Sequence, residues 1–287
     1  MSRLQLAFLQ VHNVLVARHE AAGAAPGDRF ALAARDLRWH LQWIVLHDFL
    51  DVVVGPERAA AARDPHRRRA VAGGEMLLPV EFADAAFRYG HSQVRDRYRL
   101  RPDAPPLALF PDLAGFRPLE DAPTDWSMLF DLPGQAPAAQ RCKAIDGRLV
   151  PSLIHLPVEV TGELAALEHQ SLAIRDLQRG LATGLPSGEA VARHIGAPVL
   201  PPEEVGIAEL GWDDETPLWF CLLKEAEVLE AGRHLGPAGS RIVSDVLVGV
   251  IDADPESYVN AEPGWTPTLA SASTGFDLGA LLALVQD

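Results

Sequence analysis

The sequence has little cysteine and no long uninterrupted apolar stretch. Its two cysteines, Cys142 and Cys221, stand far apart and follow no metal-ligand spacing, which predicts reduced thiols rather than a disulfide framework or a zinc site. No segment reaches the roughly 18 consecutive apolar residues that a membrane-spanning helix needs. We therefore expect no membrane partner.

Basic residues are also in the minority. Lysine and arginine number 25 against 39 aspartates and glutamates, which gives a formal net charge of -14. Such an excess of negative charge is unfavourable for binding phosphates, so we expect no nucleic-acid partner. The one basic cluster, "HRRRA" at His66–Ala70, is short, and we interpret it as a solvated loop.

The N-terminal stretch "MSRLQLAFLQVHNVLVARH" is only partly apolar, because glutamine, histidine and asparagine residues interrupt it. No small-residue cleavage site follows it, which favours an amphipathic helix over a secretory signal peptide. The default expectation is a cytoplasmic protein, or a secreted one if sequence upstream of Met1 is missing.

The hydrophobic pattern over most of the chain has a helical period, and alternation with a period of two is scarce. With 48% hydrophobic residues, the chain can bury a sizeable core. We expect one mainly α domain over residues 1–287. The predicted helices are, approximately, Leu4–His19, Arg29–Val54, one beginning near Pro79, Gly162–Ala182, Ser187–Gly196, Thr216–Ala231, Pro237–Ile251 and Phe276–Val285.

Residues 101–157 differ in character from the rest of the chain. They are rich in proline and turn residues and have few apolar repeats. The pattern predicts a long irregular excursion that is packed on the helical body by its aromatic side chains. These are Phe110, Phe116, Trp126 and Phe130.

The stretch "AFRYGHSQVR" places Gly90 directly before His91 and Arg88 three residues before it. Glycine in a helix interior lowers stability by about 1 kcal/mol relative to alanine, so its presence here indicates a structural or functional requirement. A histidine on an apolar helix is most often a hydrogen-bonded core residue. The alternative is a haem site, since glycine lets a flat ligand approach closely, a guanidinium suits carboxylates and histidine supplies an axial nitrogen.

A histidine that holds a metal needs a hydrogen-bond acceptor on its other ring nitrogen. The stretch "LAIRDLQRG" offers Asp176 for this purpose. Asp176 and Arg179 are three residues apart on one helix face, so an ordinary surface ion pair of little energetic value is the simpler interpretation.

Several stretches together resemble the animal haem peroxidases, the peroxidase–cyclooxygenase superfamily, and especially its bacterial members. "FRYGHSQV" is similar to the proximal-histidine helix of that family. The similarity keeps the family's order over essentially the whole chain. The other matching stretches are "AFLQVHN", "RWHLQWIVLHDFL", "IRDLQRGLATGLPSG", "TPLWFCLLKEAEV", "LGPAGSRIVSDVL" and "FDLGALLALV".

The resemblance implies a mainly α, haem peroxidase-like fold that corresponds to the proximal, C-terminal half of the family's domain. It implies haem b as cofactor, with His91 as the proximal ligand of the iron, Arg88 near the haem and Arg179 near a propionate. Asp176 stands where the family commonly has an asparagine that is hydrogen-bonded to the proximal histidine. A carboxylate there makes the imidazole more imidazolate-like and favours oxidised iron.

The resemblance also implies a peroxide-dependent oxidoreductase that uses hydrogen peroxide and an unknown reducing donor. The family's distal histidine and arginine, however, lie in "WGQxxDHD"-like and "DxRxxE"-like motifs that precede the helix with which this chain begins. His12, His40 and His47 match positions whose usual role is packing, and we expect none of them to replace the distal base.

Three functions stay open at this point. The chain is a peroxidase that obtains its distal residues from upstream sequence or from a separate chain that supplies the distal half. Alternatively, it is a non-catalytic haem-binding protein, or a truncated pseudo-peroxidase that is a structural remnant.

Overall fold

The computed structural model describes residues 2–64, 78–115, 124–163, 166–269 and 275–286. It is mainly helical, with 60% helix and 2% strand, which confirms the predicted fold class at this level. The basic cluster at His66–Ala70 and the side chain of Phe116 lie outside the described residues, so the predictions made for them have no counterpart in the structure.

The described part of the chain is built from helices of very different length. The α-helices are α1 (Ser2–Ala21), α2 (Arg29–Ile44), α3 (Leu50–Val54), α4 (Pro56–Arg63), α5 (Val80–Asp84), α6 (Gly90–Gln93), α7 (Pro151–Ile154), α8 (Val158–Thr161), α9 (Leu172–Ala182), α10 (Gly188–Ile195), α11 (Pro202–Val205), α12 (Leu218–Glu230), α13 (Pro237–Ala253), α14 (Tyr258–Ala261) and α15 (Leu278–Leu282). Two antiparallel strands, β1 (Arg97–Tyr98) and β2 (Leu107–Ala108), pair with each other. Turns of 3₁₀ helix lie at Ala86–Tyr89, Trp126–Met128, Leu167–Gln170, Ala208–Leu210 and Ala283–Val285, and π turns lie at Val45–Phe49 and Leu109–Leu113.

The long helix predicted over Arg29–Val54 is continuous, but it is not α-helical throughout. The π turn at Val45–Phe49 joins α2 to α3. Gly55, with φ of 86°, ends the helix, because this left-handed region is open mainly to glycine. Pro56 then begins α4, where its missing N–H costs no hydrogen bond.

One helix prediction is wrong at its beginning, and a second helix begins as predicted but is not continuous. The helix expected from Gly162 to Ala182 begins only at Leu172, because Gly162 has φ of 84° and the Ser171 hydroxyl caps the helix by accepting from the Ile174 N–H. The helix expected from Pro79 onward is interrupted at Ala85, whose φ and ψ are −135° and −72°.

The structure describes residues 101–115 and 124–157 of the segment predicted to be irregular. These residues hold β2 and short helical turns rather than a long element. Trp126 is buried and packs against Ala7 of α1 and Leu282 of α15, so an aromatic side chain anchors the segment as predicted. Phe130 is partly buried against the same cluster, and Phe110 is partly buried against a second one.

Helices α12 and α13 supply much of the largest apolar cluster of the described residues. Their relative position is fixed by Glu225 of α12, which is 3% exposed. Its carboxylate accepts from the N–H groups of Ala238 and Gly239 at the N-terminus of α13, where the helix dipole favours negative charge. A Cβ at Gly236 would overlap the Glu225 side chain, so glycine is required there by close approach.

The helices of the described residues include none that combines the length and the apolarity required to cross a membrane.

Candidate functional site

The turn that carries His91 packs against the largest apolar cluster of the described residues. Ala85, Ala86 and Tyr89 are each buried in that cluster. The Trp219 indole of α12 donates to the Arg88 carbonyl at 3.3 Å, an acceptor that a continuous α-helix would use for its own ladder. The chain therefore changes from 3₁₀ to α geometry at Gly90, and His91 stands in the first turn of α6.

Asp176 of α9 is the centre of the site. Its side chain is fully buried, and one oxygen lies 2.5 Å from His91 Nδ1 while the other lies 2.8 Å from Arg88 Nη1. The hydrogen bond predicted between Asp176 and the His91 ring is therefore present. The alternative, a surface ion pair of Asp176 with Arg179, is wrong, because the carboxylate faces inward to other partners.

The hydrogen bond to Asp176 fixes the tautomer of His91. A carboxylate only accepts, so His91 Nδ1 carries the proton and donates it. Within the described residues Nε2 has no hydrogen-bond partner, and the side chain is 31% exposed. In the neutral ring this leaves the Nε2 lone pair directed at accessible space, where it is available to a metal or to a proton.

The Arg88 guanidinium is held entirely by groups of this chain. Besides Asp176, it donates through Nη2 to Asp84 at 3.2 Å and through Nε to the Ala83 carbonyl at 3.1 Å. The fork geometry expected to bind a ligand carboxylate thus binds two protein carboxylates. Arg88 shares Asp176 with His91, and its contacts orient that carboxylate.

Arg179 lies at the margin of the same group of side chains. It is 55% exposed, and its Nε is 3.9 Å from Asp84 Oδ1. The contact is long and Arg179 is exposed, so among the described residues the other donors of the guanidinium are open to an anion. The structure thus brings together all four residues that the sequence singled out.

Asp84 is the site residue that the sequence reasoning missed. Its side chain is 14% exposed and contacts both Arg88 and Arg179. A signal was present, since Asp84 precedes Arg88 by four residues, a spacing at which helical side chains of opposite charge meet.

Gly90 leaves open space beside His91. Its φ of −58° is helical, so the backbone does not require glycine. No heavy atom of the described residues comes within 4 Å of the position that a Cβ would take, and no neighbour requires glycine either. The missing side chain therefore has no explanation in the internal packing.

The other three histidines that the resemblance raised lie in different surroundings. His40 is fully buried and hydrogen-bonded through both ring nitrogens. His47 stacks on Trp43 and contacts the Tyr258 hydroxyl at 3.2 Å. His12 packs against the Phe30 ring, and its buried Nε2 has no hydrogen-bond partner among the described groups.

No group of three or more histidine, cysteine, aspartate or glutamate side chains in the described residues is arranged to hold a metal ion.

No family model matches this chain, and no curated protein is significantly similar to it in sequence.

Proposed function

We propose that this chain binds haem b through His91 and belongs to the peroxide-dependent oxidoreductases of the animal haem peroxidase type. The observation that carries the proposal is the hydrogen bond of 2.5 Å between His91 Nδ1 and the buried Asp176 carboxylate, which leaves Nε2 free. Metal-ligating histidines usually donate their second ring N–H to such an acceptor.

The residues present fit a haem on two further grounds. Haem brings four of its own nitrogen ligands, so a single protein nitrogen suffices for the proximal side. Gly90, which directly precedes His91, has open space where a Cβ would lie. The space at Gly90 is not required by the packing of the described residues, and it suits a flat ligand that lies against this turn.

Each side chain has a distinct task in this proposal. His91 supplies the axial nitrogen, and Asp176 keeps the proton on Nδ1 and increases the basicity of the ring. Arg88 offsets the buried charge of Asp176, which unpaired would be costly to desolvate. The exposed guanidinium of Arg179 is placed to meet a propionate. A bound haem supplies the redox-active iron for chemistry with hydrogen peroxide and a reducing donor.

The surroundings of two histidines favour a second candidate function, a haem-binding protein without peroxidase activity. A distal base must be free to take a proton from peroxide and return it. Both ring nitrogens of His40 are already engaged, and His47 is stacked and hydrogen-bonded. Unless upstream sequence or a separate chain supplies the distal half, proton transfer on that side has no assigned group among the described residues.

The proposal predicts that the purified chain binds hemin with the absorption spectrum of a histidine-ligated iron, and that His91→Ala abolishes this spectrum. Absorption titration with hemin measures both. His194→Ala is the matched control, because His194 is an exposed histidine on α10. A spectrum that survives His91→Ala unchanged would show that the ligand is another residue.

A further inference from the structure

Two carboxylates compete for one guanidinium beside His91. Asp176 and Asp84 each accept a hydrogen bond from a different terminal nitrogen of Arg88, at 2.8 and 3.2 Å. Whatever strengthens the pair of Arg88 with Asp84 leaves more negative charge on Asp176 for the His91 N–H, because the same positive charge serves both carboxylates.

Asp84 is in turn shared between two arginines. Its Oδ1 is the atom that faces both Arg88 Nη2 and, at 3.9 Å, Arg179 Nε. The side chains therefore form one alternating chain of charges that runs from exposed Arg179 through Asp84, Arg88 and Asp176 to His91. With a side chain only 14% exposed, Asp84 is screened by solvent much less than Arg179 is.

We infer that Asp84 is a positioning residue of this site, which takes a share of the positive charge of Arg88 and so strengthens the hydrogen bond that Asp176 accepts from His91. Among the described residues, Asp84 makes its ion pairs with Arg88 and Arg179 and none with the His91 ring, so it acts through Arg88. Its consequence for a bound haem rests on the proposed function, whereas its effect on the His91 hydrogen bond does not.

The first test uses the hemin-free chain. The Nδ1 proton of His91 is followed by nuclear magnetic resonance in histidine-labelled protein at low temperature, where a strong bond to a carboxylate moves the resonance downfield. Asp84→Asn should move it upfield, since Arg88 then neutralises Asp176 more fully. In an Asp176→Asn background the same change should leave the resonance where it is, because the carboxylate that transmits the effect is gone.

Arg179→Gln provides a second variant with the opposite sign. Arg179 is 55% exposed, so its replacement does not threaten the fold. Without it, Asp84 is left to Arg88 alone, and the His91 resonance should move downfield. A resonance that both variants leave unmoved in folded protein, or an equal shift with and without Asp176, would overturn the role of Asp84.

The second test uses the hemin-loaded chain and separates this inference from the proposed function. Asp84→Asn should raise the reduction potential of the bound iron in the same direction as Asp176→Asn, and Arg179→Gln should lower it. Failure of every variant and of the parent chain to bind hemin would refute the proposed function and leave the resonance result to decide on Asp84. Hemin binding with an unmoved resonance would overturn the role of Asp84 alone.

Discussion

At the scale of single residues, the site depends on how one buried carboxylate is compensated. Asp176 has no contact with solvent, and a lone charge in such a position would be strongly destabilising. One arginine and one imidazole N–H divide its two oxygens between them. The same contacts that make the buried charge tolerable also fix the tautomer of His91, so stability and ligand geometry have a common origin here.

Gly90 offers a test in which stability and binding should respond in opposite directions. Gly90→Ala should leave the free energy of unfolding of the hemin-free chain unchanged or raise it by up to about 1 kcal/mol, since alanine favours helical geometry. The added methyl group occupies the open space beside His91, and we expect at least a tenfold loss of hemin affinity. Urea unfolding and absorption titration measure the two effects.

Gly264→Ala is the matched control for this experiment. Gly264 also has open space at its Cβ position and no left-handed φ, but it lies in the segment after α14. Its replacement should leave hemin affinity unchanged. Equal hemin affinity of Gly90→Ala and the parent chain would mean that the ligand does not approach this face of the turn.

At the scale of elements, a buried histidine ties α2 to the segment that precedes α15. His40 Nδ1 donates to the Asp36 carbonyl at 2.6 Å, and Nε2 accepts from the N–H groups of Thr268 and Leu269 at 3.1 and 3.3 Å. The ring must be neutral to accept at Nε2. Burial lowers the pKa of His40 below its ordinary value of 6.5, which opposes protonation in the folded chain.

This lowered pKa predicts a pH dependence of stability. The unfolded chain binds a proton on His40 near pH 6.5 while the folded chain does not, so the free energy of unfolding falls as the pH drops below about 6.5. Above that value the contribution of His40 is complete. The slope from this residue is at most about 1.4 kcal/mol per pH unit, because only one proton is involved.

His40→Gln isolates the contribution of this residue, because glutamine has no proton to gain in this range. Urea unfolding at pH 7.5 and pH 5 should show a larger loss of stability for the parent chain than for the variant. Groups common to both proteins cancel in the comparison. An identical loss in the two proteins would mean that His40 is protonated in the fold or that its contacts do not matter to stability.

Helices that have both an N-cap side chain and a glycine at the C-terminal end were predicted well from the sequence. For α10, the Ser187 hydroxyl accepts from the Ala190 N–H and Gly196 adopts φ of 71°, so cap chemistry and periodicity agree. The break at Ala85 could not be read in the same way. Ala85 has φ and ψ of −135° and −72°, yet neither it nor its two neighbours is a glycine or proline that would mark the break.

In the candidate site, too, the sequence indicated the residue types in each short stretch but not the contacts that form when distant segments pack together. His91, Arg88 and Asp176 were recognised because each lies in a short stretch with a chemical reason for its residue types. The pairing of Arg88 with Asp176 was not predictable from those stretches, since α9 meets the His91 turn only through tertiary packing. Asp84 escaped notice because a single charge on a short helix is usually a solvated surface residue.

At the scale of the whole molecule, the two nitrogens of the His91 ring differ in their surroundings. The described residues supply a hydrogen-bond partner for Nδ1 and none for Nε2. The ring is bound at Nδ1 from within the fold, and Nε2 faces accessible space. Peroxide chemistry needs an acid–base group and a charge-stabilising donor across from that nitrogen. Those contributions are typically about 10²–10⁴-fold and about 10²–10³-fold, respectively.

We therefore predict that the hemin-loaded chain, alone in solution, oxidises an aromatic donor with hydrogen peroxide at least about four orders of magnitude more slowly than an efficient enzyme would at roughly 10⁷ M⁻¹s⁻¹. Stopped-flow mixing with peroxide and guaiacol measures the second-order rate constant, and free hemin at the same concentration sets the lower reference. The spectrum of the loaded chain, recorded beforehand, ensures that a slow rate does not reflect an empty site. A rate constant near 10⁷ M⁻¹s⁻¹ would require a distal base within this chain. His12→Leu would then be the first variant to measure, because the His12 Nε2 is buried without a hydrogen-bond partner among the described groups, whereas both ring nitrogens of His40 are already bonded.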